Sequence, residues 1–201
     1  IGFMGETGSG KTTLVNIIMG LIHSERGKIR IDNIPLTKNS LPNWRSQISF
    51  VPQSIFISDA SFIDNIAFGE EPKSIDLNRI KKCCEKVHLD NFINSLPEKY
   101  ETRLGENGEL LSGGQIQRVG LARALYKNSS IIVIDEGTSA LDIETEKRVM
   151  KSIFSLKEKT IILVAHRLET LSSCDFVYSL AKGRIERTFS NEEFSNYIQK
   201  K

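Results

Sequence analysis

Apolar and polar residues follow two different periods along this chain, and the switch between them divides it. Residues 1–4 (IGFM) are continuously apolar and predict a buried strand. A glycine-rich loop at 5–10 follows, then a helix over 11–19 that Gly20 ends. Residues 27–32 (GKIRID) alternate like a half-buried strand. Pro42 suits a short helical turn behind a Ser or Asn cap, and ISFVP at 48–52 is a strand stopped by its proline. From about 61 to 95 the period becomes helical (SFIDNIAFG, DLNRIKKCCEKVHL, NFINSL), with no strand-like run between. EKYETRLGENGE is a polar connecting loop. Beyond it, helix 115–126, strand 130–135, helix 142–156, strand 160–165 and a short helix after His166 are expected. FVYSL and GRIER then form a hairpin around Lys182-Gly183, and Ser190 with Glu193 makes a capping box for a last helix.

Ile/Val/Leu-rich strands alternating with helices predict an α/β fold, with a central, mainly parallel sheet flanked by helices. A helical subdomain is inserted into it. The divisions fall at 1–53, 54–128 and 129–201.

Composition narrows this little. The 201 residues are 39% hydrophobic and 26% charged, enough for one domain with a subdomain. The net charge of +2 makes no electrostatic case for nucleic acid. No apolar run approaches the roughly 20 residues needed to cross a bilayer, and no signal peptide is visible. Ile1 opens in the middle of a strand, so the chain reads as a piece of a longer protein, cut at its N-terminus. Cys83, Cys84 and Cys174 suit neither a disulfide framework nor a zinc site; they read as small residues in a reducing compartment.

Three segments carry chemistry. GETGSGKT fits G-x-x-x-x-G-K-[ST] at Gly5, Gly10, Lys11 and Thr12, between a predicted strand and a predicted helix. Glycines there let backbone N–H groups turn inward around a β-phosphate, and the helix N-terminus adds partial positive charge. Lys11 reaches β- and γ-phosphate oxygens, and the Thr12 hydroxyl can ligate Mg²⁺. Thr7, Gly8, Ser9 and Thr13 complete the cradle. The second segment, IIVIDE, ends a doubly apolar strand in Asp135 and Glu136, at the edge where open α/β sheets bind ligands. Asp135 is similar to the Mg²⁺-side acid of P-loop NTPases. Glu136, expected to point the other way along the strand, could polarise a water attacking the γ-phosphate. The third, LLSGGQIQRV, starts a helix with two glycines; Ser112 and Gln115 form a capping box, which does not account for Gly113 and Gly114.

Together, LSGGQIQR downstream of GETGSGKTT and shortly before IIVIDE resembles the ATP-binding cassette (ABC) ATPase, over nearly the whole chain. The resemblance implies a P-loop NTPase core with an inserted signature subdomain, ATP and Mg²⁺ as ligands, and head-to-tail pairing with a second nucleotide-binding domain, a homodimer being expected. In that pairing Ser112 and Gly114, with Gly113 and Gln115, hold the γ-phosphate bound at the partner's Lys11. It implies that Gln53 senses Mg²⁺ and γ-phosphate and links to a transmembrane partner. The metal would thus be shared by Thr12, Gln53 and Asp135. SALD at 139–142 would be the loop crossing the dimer interface, and His166 a switch residue on the γ-phosphate. Gly105-Glu106-Asn107-Gly108 before the signature is similar to the exporter-type loop that touches the membrane domain, which places the chain at the cytoplasmic face of a membrane, with a transmembrane domain fused upstream. Gly137 stands where the family usually has alanine; the aromatic residue that stacks on adenine normally precedes the phosphate loop, so the resemblance implies that it is missing with the N-terminus, as are the first strands of the fold. The alternative is a soluble ABC-class ATPase not engaged in transport; such proteins usually carry tandem cassettes or a long coiled coil, and no heptads occur here.

Overall fold

A computed structural model describes residues 1–200. Along the chain run β1 (Gly2–Met4), α1 (Lys11–Ile18), β2 (Arg30–Ile31), β3 (Ile34–Pro35), α2 (Leu41–Ser46) and β4 (Ile48–Val51). The helices α3 (Phe62–Ile66), α4 (Leu77–Lys86), α5 (Asp90–Ser95) and α6 (Gly113–Lys127) follow. Then come β5 (Ile131–Asp135), α7 (Ile143–Phe154), β6 (Thr160–Val164), α8 (Leu168–Leu171), β7 (Phe176–Ala181), β8 (Arg184–Ser190) and α9 (Asn191–Gln199). The fold is mixed α/β with a mostly parallel sheet, as expected. The contacts group into two units: Ile1–Phe50, Ser129–Asp135 and Lys159–Lys201 in one, Val51–Asn128 and Glu136–Glu158 in the other.

The first unit carries the six-stranded sheet, in the order β4-β5-β6-β1-β7-β8. β5, β6, β1 and β7 run parallel, and β8 returns antiparallel to β7. Its core joins Phe3, Val15, Met19, Trp44, Ile48, Val133, Ile162, Val164 and Leu180. Each such side chain contributes about 1.5–3 kcal/mol through burial. Trp44 also places its indole N–H on the Ile18 carbonyl at 2.8 Å, and Arg45 donates to the Gly20 carbonyl, which closes the C-terminal end of α1. The hairpin at 182–183 forms with φ of 48° and 74° at Lys182 and Gly183, the positive pair that a two-residue turn requires.

One predicted strand is shorter than its pattern. GKIRID yields only two paired residues, because Asp32 and Asn33 adopt φ of 48° and 66° and fold the chain back as β3. A turn residue that tolerates positive φ ended the strand before its alternation ended.

The second unit is helical up to residue 128. α3 opens with a capping box in which Ser61 accepts from the Asp64 N–H and Asp64 accepts from the Ser61 N–H. α3 and α4 pack on α6. Phe62, Ile80, Cys84, Leu89, Ile93 and Val119 are all fully buried. The three cysteines are free and buried. Burial lifts the Cys83 and Cys174 thiols above their ordinary range and pushes Cys84 up to about 12, which leaves them inert thiols rather than nucleophiles.

Candidate functional site

In the first unit, strand register builds the site's edge. Val164 of β6 lies opposite Asp135 on one side and Phe3 on the other. With β1, β5 and β6 parallel, the ends of all three leave the sheet at one edge. Gly5 begins the glycine-rich loop there, Asp135 ends β5, and His166, exposed, follows β6 two residues past that row.

The loop is shaped by what cannot fit. Gly5 has φ of 151°, and a Cβ on it would lie 2.3 Å from the Leu180 carbonyl oxygen and 2.8 Å from Ser9 Oγ. Gly183 N–H donates to the Ser9 carbonyl at 2.9 Å and clamps the loop from the hairpin turn. Gly10, at φ of 101°, caps α1 without a side-chain hydrogen bond. The first N–H groups of α1 are therefore available to an anion. Lys11 is only 5% exposed and donates to the carbonyls of Gly5 and Glu6 at 2.8 and 2.9 Å. An ammonium has three donors, so one remains. Ser9 Oγ is buried and has no hydrogen-bond partner. Buried hydroxyls and cations are stable only when satisfied, so an oxyanion seated in the loop completes both. Thr7, Gly8, Thr12 and Thr13 are exposed around it.

In the second unit, Gln53 donates its Nε2 to Glu136 Oε2 at 2.7 Å. This leaves the Gln53 carbonyl oxygen as an acceptor. Glu136 does not continue the strand: β5 stops at Asp135, and Glu136 turns to φ of 54°. The expectation that strand alternation separates the two carboxylates is thus corrected; a left-handed residue does it, a conformation costing a non-glycine residue on the order of 1 kcal/mol and concentrated at working sites.

The second glycine loop begins α6. Ser112 Oγ accepts from the Gln115 N–H at 3.3 Å, and Gln115 Oε1 accepts from the Ser112 N–H at 2.7 Å. The capping box is real, and the N–H groups of Gly113 and Gly114 remain outside it. Both glycines pack against the turn after Glu136: a Cβ on Gly113 would meet Ala140 Cβ at 3.4 Å, and one on Gly114 the Ala140 carbonyl oxygen at 3.2 Å. The same turn ends in Asp142, which caps α7; the Thr145 N–H on its Oδ1 at 2.9 Å holds its carboxyl below the ordinary range.

Gln117 escaped the sequence reading. It is 5% exposed, and its amide reaches Ser139 Oγ, the Ala140 N–H and the Glu136 carbonyl. The available signal was a polar residue in step with buried Leu121 and Ala124, at i+4 and i+7 on the apolar stripe of α6.

Thr12 and Asp135 in the first unit offer a hydroxyl and a carboxylate oxygen, and Gln53 in the second an amide oxygen, each a hard donor of the kind that suits Mg²⁺. Among the described residues no group of three or more His, Cys, Asp or Glu is placed to hold a metal. Mg²⁺ commonly takes most of its ligands from phosphates and water, so one or two such protein donors suffice for it.

The ABC transporter family profile matches residues 1–139. An ATP-dependent lipid A-core flippase of Cupriavidus metallidurans is 38% identical over 195 residues, 96% of this chain and 33% of that protein. The Beta-(1-->2)glucan export ATP-binding/permease protein NdvA of Rhizobium johnstonii is 38% identical over 197 residues, 98% of this chain and 33% of that one. The chain thus spans about a third of the length of these curated relatives. Among solved structures, a bacterial Atm1-family ABC exporter with ATP bound is similar with a TM-score of 0.89 and 30% identity, over 98% of this chain and 34% of that one. The profile match covers most of the chain, and with it the phosphate loop, the capped glycine pair and the carboxylates after β5: the chain belongs to the ABC transporter family.

Proposed function

We propose that this chain is the ATP-binding and ATP-hydrolysing domain of an exporter-type membrane transporter, acting at the cytoplasmic face beside a transmembrane domain. Two copies close head to tail on two ATP molecules, and closure drives export or flipping of a substrate. The observation that carries the reading is the buried Lys11 ammonium, held over an uncapped helix start with a donor to spare.

Lys11 and the α1 N–H groups hold the β- and γ-phosphates. Thr12, Asp135 and the Gln53 carbonyl oxygen would ligate Mg²⁺, which offsets phosphate charge when bound. Glu136, oriented by Gln53, accepts a proton from the attacking water. The water oxygen bonds to the γ-phosphorus, the bond to the bridging oxygen breaks with its electron pair staying on ADP, and phosphate leaves. His166 donates to the γ-phosphate. The Ser112 hydroxyl and the Gly113 and Gly114 N–H groups close on the γ-phosphate bound by the other copy, with Gln115 keeping the loop in shape.

Light scattering of Glu136→Gln with and without ATP tests this. The expected result is a mass that doubles only with ATP, in the chain or in the full natural polypeptide that carries it. A mass unmoved by ATP in both sinks the head-to-tail reading.

A further inference from the structure

The buried amide of Gln117 is spent entirely on the segment that begins with Glu136. Its Oε1 accepts the Ala140 N–H at 2.8 Å, and its Nε2 donates to Ser139 Oγ at 3.1 Å and, at 3.5 Å, toward the Glu136 carbonyl oxygen. That carbonyl also closes the turn by accepting the Ser139 N–H at 3.1 Å. Glu136 is therefore gripped at two ends: Gln53 holds its carboxylate at 2.7 Å, and Gln117 stands behind its backbone. The grip matters because Glu136 has φ of 54°, a conformation the chain adopts only when its surroundings impose it. Gln117 lies one turn into α6, whose first residues are the glycine pair packed on Ala140.

We propose that Gln117 is a positioning residue for ATP hydrolysis: by holding the backbone of residues 136–140 it sets the Glu136 carboxylate and ties it to the helix that starts at the Ser112 loop. The inference rests on the hydrolytic reading above. Displacement of α6 moves the Gln117 amide, and the amide carries the turn with it. A contact made at the Ser112 loop thereby reaches the general base of its own chain through one side chain.

The test compares Gln117→Met, which keeps length and loses the amide, with Gln117→Glu, which keeps the acceptor for Ala140. Both are made in the full natural polypeptide. Gln117→Met is expected to lower kcat about 10- to 100-fold, the usual consequence of a catalytic group displaced by an ångström, with ATP Kd within about twofold. Exchange of the Ala140 amide is expected to rise about tenfold. In Gln117→Glu the ionised carboxylate faces the Glu136 carbonyl without a proton to give. Its deficit relative to wild type therefore shrinks as pH falls and the introduced group becomes a donor. A kcat for Gln117→Met within twofold of wild type, or equal losses in kcat and ATP affinity, overturns the proposal. If Gln117→Met does not fold, the pH dependence of Gln117→Glu decides alone, and a deficit that ignores pH overturns it. If the wild type hydrolyses no ATP, the function proposed above has failed; unchanged Ala140 exchange in the variants then removes Gln117's hold on the turn as well.

Discussion

Two helices of this chain start with glycines, and they start differently. At α1 the glycines are demanded from inside: Gly5 at φ of 151° has a carbonyl oxygen where its Cβ would be, and Gly10 at φ of 101° leaves the helix without a side-chain cap. At α6 the demand from inside is weaker, and at Gly113 it is absent. Gly113 and Gly114 have helical backbones, and Ser112 with Gln115 already caps the helix; a Cβ on Gly114 would crowd the Ala140 carbonyl oxygen at 3.2 Å, but one on Gly113 meets nothing closer than 3.4 Å. A glycine pair in a helix costs about 1 kcal/mol per residue against alanine. Where the fold does not require that cost, the remaining reason is a backbone that something outside the chain must approach. On the proposed function, the first loop holds the phosphates of its own chain's ATP, and the second is half of a site that another copy completes.

The largest effect is expected at the first loop. Lys11→Ala removes the one donor left for phosphate, at about 1.5–3 kcal/mol, together with the two bonds to the Gly5 and Glu6 carbonyls that hold the loop, so ATP affinity drops about 10- to 100-fold from the phosphate contact and further as the loop loses its shape. Calorimetry reads it, and an unchanged Kd would mean that the loop is not a phosphate cradle. Next comes Gly5→Ala. A Cβ 2.3 Å from the Leu180 carbonyl oxygen forces the backbone apart. The expected loss is about 3 kcal/mol, or a Tm lower by about 6–12 °C. A melting curve that does not move would erase the contrast between the loops, because Gly5 would then be as dispensable to the fold as Gly113.

What was legible in the sequence follows the same line. The turn from β1 through the glycine loop into α1 could be read because its glycines, lysine and flanking strand are local consequences of one geometry. The capping boxes at Ser112 and Ser190 could be read because three-residue spacing is all they need. The stop after Ile31 was hidden because Asp32 and Asn33 could continue an alternating pattern and instead took positive φ. Gln117 was hidden for a different reason. Its partners are the Glu136 carbonyl, Ser139 and Ala140, and no spacing rule within α6 predicts a turn that arrives from beyond β5. The left-handed backbone of Glu136 was hidden too, since an apolar strand followed by two acids looks the same whichever residue ends it.

A smaller effect separates capping from partnership at the second loop. Ser112→Arg removes the cap of α6 and costs about 1 kcal/mol, a Tm lower by about 2–4 °C. It leaves ATP binding by the single chain unchanged by calorimetry and abolishes ATP-driven pairing of the Glu136→Gln background by light scattering. Pairing that survives a guanidinium at this exposed position would show that the loop does not face a second nucleotide.

The smallest effect is the sharpest, because its sign differs between stability and pairing. Gly113→Ala puts a methyl group where the backbone is already helical and the nearest neighbour is an ordinary contact at 3.4 Å. Replacing a glycine whose conformation alanine shares stabilises by about 0.4–1 kcal/mol through the unfolded chain, so Tm rises by about 1–4 °C. The same methyl group stands between the Gly113 N–H and any phosphate brought to it, so ATP-driven pairing weakens while the chain itself becomes more stable. Melting the single chain and titrating pairing by light scattering read the two signs separately. If both rise together, Gly113 and Gly114 are not kept open for a second copy. If stability falls, the pair is needed by the fold after all, and the two helix starts are alike.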